Sequence, residues 1–207
     1  MENESLVRDP PFTRYLFRST NSSWIWLIAR VYLGWQWVHA GYLKLTDPAW
    51  MNGGTALKGF WTKAVALPVA PAKPQITYGW YRGFLITLLD GGHYTWFAKV
   101  IAIGETLIGV ALILGFLTGL AAFFGAFMNF NFMLAGSAST NPVLFTLAIL
   151  LIMAWKVAGY WGLDRFVLHR LTPWHPGSLV SRDRSRNATR FRTEERPESD
   201  NRLKPKS

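Results

Sequence analysis

Residues 95–114 read TWFAKVIAIGETLIGVALIL. This is a largely apolar run of the length a helix needs to cross a bilayer core of about 30 Å. In lipid a lone span must satisfy its own backbone hydrogen bonds, so it is helical. Working outward, three further blocks share this character: about residues 24–45, 116–138 and 142–162. The pattern predicts an all-α integral membrane protein, a bundle of four transmembrane helices. Half of the 207 residues are hydrophobic and 15% are aromatic. Polar ends dilute the mean hydropathy to +0.13.

The connections refine this picture. The second and third blocks meet almost without a loop and predict a tight antiparallel hairpin. Pro142 suits the first turn of the fourth helix, where a missing N–H costs nothing. Residues 46–94 form a long loop rich in aromatic side chains (Trp50, Trp61, Tyr78, Trp80, Tyr81), with Pro68, Pro71 and Pro74 in its middle. Short helices at the headgroup level fit that composition. Residues 1–23 are a polar N-terminal segment without the apolar core of a signal peptide. The membrane domain is expected over 24–177. Residues 178–207, rich in Arg, Ser, Glu and Asp, are expected to form a disordered basic tail.

Net charge is +10, from 22 Lys and Arg against 12 Asp and Glu. Three basic residues precede the first block and eleven follow from Arg165 onward, against four in the long loop. The positive-inside rule then puts both termini in the cytoplasm and the loop outside. The basic tail suits anionic lipid headgroups. No recognition fold accompanies the charge, so nucleic acid is not an expected partner.

Charges inside a bilayer are costly and ask for a partner or a purpose. On the first helix Arg30, Gly34, Trp37, Gly41 and Lys44 are spaced to share one stripe, and its glycines admit a close neighbour. His39 lies about 180° from Arg30 and is expected to face away. On the second helix Ala98, Glu105, Gly109 and Leu112 share a stripe. On the third, Ala122, Gly125, Asn129 and Gly136 line up, whereas Asn131 points elsewhere with Phe124 and Phe127. Arg30 lies about 9 Å from the inner end of its helix and Glu105 near the midplane. These depths predict an Arg30–Glu105 pair, with Lys156 nearby or snorkelling to the inner headgroups.

Cysteine is absent, which excludes a disulfide relay, a thiolate nucleophile, an iron–sulfur cluster and a zinc–thiolate site within this chain. A bis-His haem would need His39 and His93 to face each other, against the orientation of the glycine stripe. No metal is expected. A quinone site needs a flat apolar slot, a hydrogen-bond donor and a proton source. Trp37 as a wall, Arg30, Asn129 or Lys156 as polar contacts, and Glu105 as proton carrier meet that description.

Several segments resemble the DoxX/DoxD family of membrane proteins: RVYLGWQWVHAGYLKL at 30–45, GETLIGVALILGFLTG at 104–119, MNFNFMLAGSASTNP at 128–142 and AWKVAGYWGLDR at 154–165. The long aromatic loop is similar to the DoxD-type branch. The resemblance implies a four-helix bundle and the small subunit of thiosulfate:quinone oxidoreductase. In that setting thiosulfate is oxidised to tetrathionate, a membrane quinone is reduced, and a DoxA-type second subunit takes part. Arg30 and Glu105 are the positions the resemblance carries as candidates. Two rivals stand beside it. One is an accessory subunit without chemistry in a larger respiratory or photosynthetic electron-transfer complex. The other, a small transporter, is disfavoured by the lack of an inverted repeat.

Overall fold

A computed structural model describes residues 9–171, with helices α1 (Pro11–Arg18), α2 (Ser23–Thr46), α3 (Pro48–Met51), α4 (Thr55–Val65), α5 (Gly79–Asp90), α6 (Tyr94–Leu114), α7 (Thr118–Leu134), α8 (Asn141–Met153), α9 (Trp155–Ala158) and α10 (Asp164–Leu171). There is no strand among the described residues. The expected tail, 178–207, lies outside them.

One helix, α6, is both long and apolar enough to cross a membrane. α2 has 24 residues, but Arg30, Gln36 and His39 interrupt its apolar character. α7 and α8 are shorter apolar helices. The third helix was expected to reach Ala138 and ends at Leu134 instead. Gly136 takes φ +80° there, and its backbone packs on Gln75, where a Cβ would lie 2.7 Å from the Gln75 carbonyl oxygen. It therefore lies beyond the helix rather than on its inner stripe. The fourth helix, expected to run to Gly162, breaks at Ala154 and resumes for one turn as α9.

α2 and α6 make the closest helix pair, and glycine explains it. A Cβ on Gly34 would lie 2.8 Å from the Gly109 carbonyl oxygen, and one on Gly109 only 2.5 Å from the Val38 nitrogen. One on Gly41 would lie 2.7 Å from the Thr106 nitrogen. Rising numbers on α2 meet falling numbers on α6, so the two helices run antiparallel. In lipid, close backbone approach of this kind holds helices together where hydrophobic burial gives little. The buried residues of α2 include Arg30, Gly34, Trp37 and Gly41 of the expected stripe, with Ser23, Trp26 and Leu33 added, while Lys44 is half-buried. Those of α6 include Ala98, Glu105, Gly109 and Leu112.

Two apolar cores result. The first joins α2, α6, α7, α8 and α9 through residues such as Leu33, Trp37, Leu112, Ala122 and Leu151. The second lies under the 46–94 segment, where Leu57, Trp61, Tyr81 and Leu85 pack on Ala98, Ile101 and Ala135. Gln75 Nε2 ties this cap down by donating to the Ala135 carbonyl at 3.0 Å, and within the cap Arg82 Nε donates from α5 to the Val65 carbonyl at the end of α4 at 2.7 Å. The three prolines fall in the irregular stretch between α4 and α5.

Candidate functional site

A cavity of about 720 Å³ separates the two cores, lined from α2 by Trp37 and Lys44, from α6 by Glu105 and from α7 by Asn129 and Asn131. The cap contributes Trp61, Tyr81 and Leu85. Its walls are mostly aromatic and aliphatic, with a few polar groups converging on the space, the usual make-up of a small-molecule site.

The charge in this cavity is a pair. Lys44 Nζ stands 2.6 Å from Glu105 Oε2. Glu105 is buried at 1% exposure, while the Lys44 side chain keeps 21% of its surface open. The ammonium also lies 5.2 Å from the centre of the Trp50 ring, a cation–π distance. The second carboxylate oxygen, Oε1, receives no hydrogen bond from the described residues.

Arg30 does not pair with Glu105, which corrects the expectation from depth alone. The antiparallel register set by Gly34 and Gly109 puts Arg30 level with Gly115, about ten residues or 15 Å along the helix from Glu105. There its guanidinium is wedged against the backbones of Gly115 and Gly162, and NH2 donates to the Trp161 carbonyl at 3.5 Å. Asp164 is anchored to the same turn, its N–H donating to the Gly115 carbonyl at 2.8 Å. Asp164 is itself buried and caps α7, accepting from the Leu117 N–H at 2.5 Å and the Thr118 N–H at 2.9 Å. This second polar cluster joins the α6–α7 turn to the start of α10, and Arg30 belongs to it rather than to the cavity. Lys156 is likewise elsewhere, exposed and 5.5 Å from the Trp155 ring centre.

Asn129 and Trp37 do reach the cavity. Asn129 is fully buried, and neither its Oδ1 nor its Nδ2 finds a partner. Trp37, 3% exposed, leaves its indole N–H unpartnered as well. Buried polar atoms are nearly always paired, so an amide orphaned at both ends in a cavity lining is unusual. Asn131 also lines the space, contrary to the wheel argument. It accepts from Tyr81 Oη at its carbonyl oxygen (3.0 Å) and at Oδ1 (3.3 Å), linking α7 to the cap. Burial pushes the Tyr81 phenol up to about 12. His39 is exposed at the rim, stacked on Trp35.

Sequence reasoning missed Lys44 as the partner of Glu105, although its stripe contains it. It missed Asp164 altogether; the glycines at 159 and 162, where a Cβ would strike Asp164 and Arg30 respectively, were the available signal. No curated protein and no solved structure matches the chain. A family model, DoxX, matches residues 25–138, from the first turn of α2 to just past α7.

Proposed function

The chain belongs to the DoxX family of membrane proteins, and from that premise we propose that it spans the membrane four times and serves as the quinone-facing subunit of a redox complex. The four spans are α2, α6, α7, and α8 continued by α9. Large apolar side chains exposed on them, such as Ile28, Trp35, Leu107, Phe127 and Val143, support this. Such a surface is expected to face lipid or protein. Both termini are cytoplasmic in this reading, and the cap formed by α3, α4 and α5 lies outside.

The observation that carries the redox reading is the cavity itself, with unpartnered Asn129 in its lining and the Lys44–Glu105 pair in its wall. The residues fit a quinone. Trp37 and the surrounding aromatic side chains offer a flat apolar slot. The Asn129 amide offers a donor to a carbonyl. A bound quinone supplies the capacity to take up two electrons and two protons. Glu105 is the buried acid in the cavity wall that exchanges a proton, and Lys44 fixes its position and steadies its charge. Arg30 and Lys156 have no part in this site.

The complex is thiosulfate:quinone oxidoreductase, with a DoxA-type partner chain supplying what this chain lacks. The test is thiosulfate-dependent quinone reduction in native membranes with and without this chain. Activity lost on deletion and restored by wild type but not by Glu105→Gln is the expected result. Unchanged activity on deletion refutes the thiosulfate assignment and favours an accessory role in another electron-transfer complex.

A further inference from the structure

Asn129, in the lining of the cavity, presents a donor and an acceptor that both lack a partner, and that selects among ligands. Its Nδ2 only donates, whereas its Oδ1 only accepts. Whichever way the amide is turned, both of its ends are unpaired. Glu105 Oε1 adds a second acceptor that no described residue fills. A quinone carbonyl only accepts. It can satisfy the amide nitrogen, but it leaves Asn129 Oδ1 dry and unpaired. A phenolic hydroxyl accepts and donates at once, so it can satisfy both ends of the amide.

We propose that the cavity is built for the reduced, hydroxyl-bearing form and holds a hydroquinone more tightly than the corresponding quinone. This rests on the quinone reading above and adds to it which redox form the site prefers. One buried acceptor, paired in one complex and orphaned in the other, corresponds to about tenfold in affinity. By linkage, tighter binding of the reduced form raises the potential of the bound two-electron couple by about 30 mV for that tenfold. The site thereby favours quinone reduction over quinol oxidation.

The experiment uses the full chain in lipid nanodiscs, titrated calorimetrically without oxygen. Three probes share one ring: duroquinone, durohydroquinone, and the dimethyl ether of durohydroquinone, which accepts hydrogen bonds but cannot donate. The hydroquinone is expected to bind about tenfold tighter than the quinone or the ether. Asn129→Leu should bring the hydroquinone and quinone within twofold of each other. If the quinone binds and the hydroquinone binds no tighter, or if Asn129→Leu leaves the preference intact, the inference fails and the quinone reading survives. If none of the three probes binds, both fail together.

Discussion

Replacing Lys44 with Met leaves the Glu105 carboxylate buried without its cation. At 2.6 Å the attraction is worth about 6 kcal/mol with an effective dielectric of 20, before the desolvation of either charge is subtracted. Truncating one partner of a buried pair costs about 3–5 kcal/mol. Lys44 retains some exposure and Glu105 borders a cavity, so the lower end applies, about 3 kcal/mol. For a chain of this size that lowers the unfolding temperature by roughly 6–12 °C. Glu105→Leu should cost less, because the freed ammonium lies at the open side and can turn to solvent. The double variant Lys44→Met, Glu105→Leu should recover most of the loss, since an apolar replacement of a whole buried pair is often neutral. Thermal unfolding of the four proteins in nanodiscs closes the cycle. The reasoning is refuted if Lys44→Met unfolds at the wild-type temperature. It is refuted equally if the double variant is no more stable than Lys44→Met alone. Arg30→Leu serves as the contrast: it should destabilise by an amount that Glu105→Leu neither increases nor relieves.

Gly109→Ala forces a Cβ to within 2.5 Å of the Val38 nitrogen. It should separate α2 from α6 at a cost of about 2–3 kcal/mol, read as a lower unfolding temperature; an unchanged one would show that the helices are not in contact there. Asp164→Ala removes both acceptors from the N-terminus of α7 and should cost about 1–2 kcal/mol, with amide exchange at Leu117 and Thr118 rising first. The Tyr81 phenol, pushed up to about 12, stays neutral in the folded cap while it ionises near 10 in an unfolded chain. Its contribution is therefore complete below pH 10 and fades as pH rises toward about 12, by about 3 kcal/mol. Tyr81→Phe should abolish that component of alkaline destabilisation; an identical alkaline profile for the variant would contradict it.

The inner faces of the helices were legible because burial follows the helical repeat. Small residues spaced by three and four mark where α2 and α6 touch, and Glu105 falls on that seam. What the repeat does not give is the axial register of one helix against another. Depth counted from the helix ends allowed Arg30 to meet Glu105. The pairing of Gly34 with Gly109 shifts them about 15 Å apart and brings Lys44 into reach instead. A register read from the glycines would have found this. Asn131 was misplaced for a different reason: the wheel describes the membrane helices alone, and Tyr81 reaches it from the cap. The 46–94 segment gave composition without order, because α3, α4 and α5 owe their positions to packing on Ala98, Ile101 and Ala135. Asp164 caps a helix that begins 46 residues earlier, a contact no local pattern encodes.

The most direct test of a quinone-binding cavity is photolabelling of the reconstituted chain with an azidoquinone, followed by peptide mapping. Adducts on cavity-lining residues such as Trp61, Tyr81, Met128 and Phe132, competed away by excess unlabelled quinone and lost in Asn129→Leu, are the predicted result. Labelling spread over the lipid-facing side chains of α6 and α7, with no competition by unlabelled quinone, would contradict it.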